Sequence, residues 1–91
     1  MNLEKYGYNP QDGTKSRRRA LDQAILKHSF DTVLSSLISN FKDSEGYRQD
    51  RIRADLNDLA KKLKAGRYLS DSYSFQDLRT QLYEHRETVQ G

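Results

Sequence analysis

The stretch KSRRRALDQAILKHSFDTVLSSLISNF, Lys15 to Phe41, decides the fold. Within it Ala20, Leu21, Ala24, Ile25 and His28 recur at the helical period and line one side of a helix, while Arg19, Asp22, Gln23 and Leu26 fall elsewhere on the wheel. A second stripe has the same spacing: Val33, Leu34, Leu37, Ile38 and Phe41, with Phe30 one turn earlier. Ser29 stands between them as a natural N-cap, because its hydroxyl accepts a hydrogen bond from an amide left free in the first turn. Asp31 suits the positive end of the helix dipole. The pattern predicts one helix over residues 15–28 and a second over 30–42. So short a break makes the pair a helical hairpin or a helix-turn-helix-like corner, with a single continuous helix as the alternative.

Working outward, residues 1–14 contain Tyr6-Gly7-Tyr8, the only proline, Pro10, and Asp12-Gly13. They read as an N-terminal arm with a turn rather than a regular element, open to proteolysis, with two tyrosines free to pack back on the bundle. On the other side Asp43-Ser44-Glu45-Gly46 is a turn, and a third helix runs from about Tyr47 to Ala65. Its apolar face carries Ile52, Leu56, Leu59, Ala60 and Leu63, and Gly66 is placed as its C′ residue. After a loop over 66–73, Ser74-Phe75-Gln76-Asp77 has the form of a capping box. Phe75, Leu78, Leu82 and Val89 stripe a fourth helix that frays toward Gly91. No strand alternation and no internal repeat is present. The expected fold is all-α: a small bundle of four helices, with residues 1–14 as the arm and 15–91 as a single helical domain.

Ninety-one residues bound one domain with a small core. A mean hydropathy of −1.02 and 32% charged residues approach the disordered range, but the helical spacing of the apolar residues argues for a folded bundle with mobile ends. The absence of cysteine removes disulfides and thiolate metal sites and fits a reducing compartment. No apolar run is long enough for a bilayer and no signal-peptide pattern opens the chain, so a protein that is neither secreted nor membrane-spanning is expected. A metal site needs converging ligands, and His28 and His85 are far apart, each at the end or edge of an apolar stripe where packing or surface histidines are ordinary. The five glycines are scattered and form no phosphate loop. No serine has a histidine–carboxylate partner at a recognisable spacing. A non-enzymatic protein without cofactor or metal is expected.

Charge is unevenly spread. Residues 1–27 carry six basic and three acidic side chains and residues 48–67 seven and three, whereas the other two segments are each −2, so a net +3 hides two basic patches. In the first, Lys15, Arg17, Arg18 and Arg19 crowd a helix start, where the dipole disfavours each cation by roughly 0.3–1 kcal/mol. A phosphate facing the arginines and the free amides explains them; a helix that starts later, leaving them solvated in the arm, explains them equally. In the second, Lys61, Lys62, Lys64 and Arg67 lie at a helix C-terminus that welcomes cations, and Asp58 pairs with Lys62 at i, i+4 without any ligand. Arg51 and Arg53 point to different sides of that wheel. Tyr6, Tyr8, Tyr47 and Tyr68 lie near arginine or lysine, the interleaving of a single-strand binder and equally of tyrosines that finish a small core. Opposite the apolar stripe of the second helix stand Thr32, Ser35, Ser36 and Ser39, with no charge among them. Small hydroxyl residues let another backbone approach closely, which makes this face a candidate protein interface, with a neutral solvent face as the alternative.

The order Tyr6-Gly7-Tyr8, the arginine cluster, Ala20-Leu21 with Ala24-Ile25, Lys27-His28-Ser29, then Val33, Leu34 and Leu37, and finally Ala54-Asp55-Leu56, resembles a small basic domain family of unknown function from nucleocytoplasmic large DNA viruses. Its members read K-Y-G-Y, R-x-x-A-L-x-x-A, K-Y-G and V-L-R-R-L-N and close on a D-L pair. The likeness covers roughly residues 3–63. Ser35 and Ser36 replace two arginines of that pattern, and Ser29 a glycine. The resemblance implies no catalytic residue and implies association with viral DNA or the virion, in the particle or the host-cell interior. The expectation is therefore a phosphate-backbone binder without strong sequence specificity, with an adaptor to virion or capsid proteins, or a homodimer, as the alternative.

Overall fold

The computed structural model describes residues 1–90, with side chains described through Glu84. Among these residues there is no strand. A 3₁₀ turn, Leu3–Tyr6, leads into α1 (Thr14–Lys27), α2 (Phe30–Asp43), α3 (Gly46–Lys64) and α4 (Phe75–Gln90). His85 and Val89, expected at the edge and on the stripe of the fourth helix, lie outside the described side chains.

Local chemistry sets each boundary. α1 and α2 are not one helix, because His28 leaves the helical region (φ −119°, ψ −96°) and Ser29 is extended, its Oγ accepting from the Thr32 amide at 3.1 Å. The two helices are packed neighbours. At the α2–α3 corner Gln49, buried in the first turn of α3, donates from Nε2 to the carbonyls of Phe41 (3.1 Å) and Ser44 (2.9 Å), which satisfies groups that a helix end leaves open. α3 stops where its sequence predicts: Gly66 adopts φ +78°, its amide bonds Leu63 O at 3.1 Å, and the Arg67 amide bonds Lys62 O at 3.0 Å, the paired closure of a Schellman motif. The capping box of α4 is reciprocal, Asp77 N to Ser74 Oγ at 3.1 Å and Ser74 N to Asp77 Oδ2 at 3.3 Å.

α2 is the central element. Val33, Leu34 and Leu37 are wholly buried and share one core cluster with Ala20, Leu21 and Ala24 of α1, Ile52, Leu56, Leu59 and Ala60 of α3, and, on the far side of α3, Leu78 and Leu82 of α4. Ile25 and Leu63 are half-buried, His28 is exposed, and Leu26 points to solvent as its wheel position predicts. The loop between α3 and α4 crosses the start of α2. There Tyr68 stacks on Phe30 with centroids 4.7 Å apart, the Asp31 carboxylate accepts from Ser70 Oγ, and the Asp71 amide reaches it at 3.1 Å.

The N-terminal residues form the expected arm with a turn, and they pack closely on the bundle. Leu3 and Tyr8 are core residues at 2% and 3% exposure, and Gly7 closes the 3₁₀ turn in the left-handed region at φ +85°. Arg51 of α3 holds the next segment down, its Nη1 donating to Pro10 O at 2.9 Å and Gln11 O at 2.7 Å. The arm is thus strapped across the bundle. Polar tethers to a distant helix, invisible to a local turn pattern, hold a segment whose own sequence favours no long element. No helix among the described residues is long and apolar enough to cross a membrane.

Candidate anion-binding surface

The arginine cluster divides. Arg17 falls three and four positions before Ala20 and Leu21, on the buried stripe of α1, and is only 4% exposed. Asp55 likewise interrupts the buried stripe of α3, between Ile52 and Leu56, and is 3% exposed. The two meet: Arg17 Nε lies 2.8 Å from Asp55 Oδ2 and Nη2 lies 3.3 Å from Oδ1, a two-point pairing, while Nη1 donates to Asp12 O at 2.6 Å. Tyr8 Oη donates to the same Asp55 Oδ2 at 2.7 Å. This triad joins the arm, α1 and α3. It withdraws Arg17 from solvent, so the expected phosphate-facing row of three arginines is not presented by this fold.

Burial first, then the hydrogen bond to Asp55 and its charge, push the Tyr8 phenol far above its ordinary value. Folding therefore favours the protonated phenol. That contribution is complete below the unfolded phenol's pKa of about 10 and is lost as pH rises above it. Tyr8→Phe should be less stable than the parent at pH 8, and the gap between the two urea midpoints should narrow at pH 11. A gap that does not change with pH would contradict the buried hydrogen bond.

Arg18 and Lys62 take part in a chain of ion pairs across the α1–α3 seam: Arg18 Nη2 to Asp58 at 3.7 Å, Asp58 to Lys62 Nζ at 3.4 Å, and Lys62 Nζ to Asp22 at 3.8 Å. The i, i+4 pair expected within α3 is present, and charge on this side is largely neutralised. Lys15, Arg19, Lys61, Lys64 and Arg67 are exposed and have no carboxylate within ion-pair distance among the described residues.

A different seam, between α3 and α4, carries basic charge of another kind. A groove of about 320 Å³ is lined there by Arg53, Asn57, Lys61, Arg79, Leu82 and Tyr83. Beside it Lys64 Nζ sits 4.7 Å above the Phe75 ring, and the Arg79 guanidinium lies 5.7 Å from the same ring and 5.3 Å from that of Tyr83. A larger groove of about 730 Å³, between the arm and the α2–α3 corner, mixes signs along its wall, with Glu4, Asp12 and Asp43 against Arg48. No group of three or more histidine, cysteine or acidic residues suited to a metal occurs among the described residues.

The hydroxyl face of α2 is partly used by the chain itself. Ser35 Oγ lies 3.2 Å from Tyr73 Oη in the loop before α4, Thr32 Oγ1 accepts from Ser29 Oγ at 2.8 Å, Ser36 is half-buried, and Ser39 is exposed. His28, on the stripe of α1 by spacing, meets Tyr6 of the arm edge-on, Nε2 against the phenol Oη with centroids 5.5 Å apart.

The apolar stripe of α4 does not disclose the α3–α4 groove, to which that helix contributes Arg79 and Tyr83. Their i, i+4 spacing was the available signal. The Arg17–Asp55 pair was legible as two opposite charges, each on an apolar stripe. A family model described as a family of unknown function, DUF5771, matches residues 1–73, and no curated protein and no solved structure matches the chain.

Proposed function

We propose, from the premise that this chain belongs to the DUF5771 family of unknown function, that it is a non-enzymatic protein that binds the phosphate backbone of nucleic acid without strong base specificity. One observation carries this reading: Lys15, Arg19, Lys61, Lys64 and Arg67, among other exposed cations, lack a carboxylate partner among the described residues, although acidic side chains are abundant in the chain. Fixed positive charge left unneutralised on a rigid surface attracts a polyanion, and the counterions it displaces make binding salt-dependent. With the viral resemblance of its sequence, the partner proposed is viral DNA, in the virion or the host-cell interior.

The test is fluorescence anisotropy with unrelated duplexes across a salt series. Affinity should fall with salt for every sequence alike. Substituting Lys61, Lys64 and Arg67 by alanine together should flatten the log–log salt slope by up to about 2.7, since each phosphate contact contributes about 0.9. A correctly folded parent that binds no nucleic acid even at low salt overturns the proposal.

A further inference from the structure

The α3–α4 groove combines features that backbone attraction alone does not require. Three cations, Arg53, Lys61 and Arg79, line one small concavity together with the Asn57 amide, Leu82 and a tyrosine that is 53% exposed. Arg53 is held in place by Asp50 at 2.8 Å and by the Phe41 ring 5.3 Å away, and its shielded Nε has no hydrogen-bond partner. Arg79 is fixed beside Tyr83, its Nη2 donating to the phenol oxygen at 3.1 Å. Arg53 and Arg79 are thus oriented before any ligand arrives, and a guanidinium fork suits the oxygens of a phosphate.

Resting on the nucleic-acid reading above, we infer that this groove holds one unpaired nucleotide of a single strand, its base stacked on the Tyr83 ring and its phosphate met by Lys61, Arg53 and Arg79. The volume, at the small end of the roughly 300–1,000 Å³ of ligand pockets, suits a single nucleotide and excludes a duplex. The ring decides between anions. An acidic peptide is satisfied by the cations alone, whereas a base also uses the half-exposed Tyr83 ring, already overlain by the Arg79 guanidinium, as a stacking platform, and every base has a π-face to offer it. Duplex DNA, whose bases are already stacked, engages the surface cations, Lys61 of the groove wall among them, and leaves the Tyr83 ring unstacked.

The chain has no tryptophan, so Tyr83→Trp places a single reporter in the groove. An oligothymidylate should quench its fluorescence, and inorganic polyphosphate of matched charge should not, although both bind. Tyr83→Leu, at an exposed position with helicity checked by circular dichroism, should lower single-strand affinity roughly ten- to a hundredfold while changing duplex affinity less than about twofold. Quenching absent, or single-strand affinity unchanged in Tyr83→Leu, overturns the groove while intact salt-dependent duplex binding leaves the backbone reading standing. Competition by polyglutamate as effective as that by oligothymidylate also overturns it, in favour of an acidic peptide. Binding of neither nucleic acid by the folded parent overturns both.

Discussion

Replacing Asp55 by alanine is expected to cost about 3–5 kcal/mol of stability, the usual penalty for stranding one half of a buried ion pair. Arg17 is 4% exposed and would keep its charge without its partner, and the Tyr8 hydroxyl would lose its acceptor in the same step. A domain of this size has about 5–15 kcal/mol in total, so the variant should be partly unfolded at physiological temperature. Arg18→Ala, one position along from Arg17, removes only a half-exposed pair at 3.7 Å and should cost no more than about 1 kcal/mol. A triple replacement, Arg17→Met with Asp55→Leu and Tyr8→Phe, should recover most of the loss, because an apolar cluster needs no partner for its charges. Urea unfolding followed by circular dichroism decides: an Asp55→Ala midpoint close to that of the parent would show that the triad is not a structural keystone. The same result warns against Arg17→Ala as a probe of nucleic-acid binding, since lost affinity would report lost fold.

Leu37→Ala should cost about 2–5 kcal/mol. The side chain is wholly buried on α2, the helix that packs against α1, α3 and the 3₁₀ turn of the arm, so a cavity there cannot be filled by solvent or by movement of a surface loop. Leu26→Ala is the matched control: the same atoms are deleted at a position 85% exposed, and the change should stay within about 0.5 kcal/mol. Thermal melts of the two variants should differ clearly, and equal melting points would mean that α2 is not the centre of the core.

The helices were legible because their signals are local. Ser29, Gly66 and the Ser74–Asp77 box each act within a few residues, and each does in the structure what its chemistry predicts. What escaped was set by partners far along the chain. Arg17 looked like its neighbours Arg18 and Arg19 as long as the cluster was read as charge; read as register, it belongs to the stripe of Ala20, Leu21 and Ala24. The arm looked irregular because its order comes from Asp55 and Arg51, and no pattern within residues 1–14 contains them. The residues that carry the family likeness, Tyr8, Arg17 and Asp55, converge on one buried cluster, so much of that signature is a stability signature. Arg79 and Tyr83 lie beyond the matched residues.

The strap has a consequence for synthesis. Tyr8 and Arg17 leave the ribosome before Asp55, the acceptor for both, which follows 47 and 38 residues behind them. α1 and α2 draw their hydrogen bonds from neighbours in the sequence, all of them made before α3. Tyr8 and Arg17 are therefore placed only once a segment made after them arrives. Until Asp55 emerges, Arg17 remains a free cation on the buried face of a finished helix, and the chain's vectorial birth runs opposite to the order in which its core is sealed.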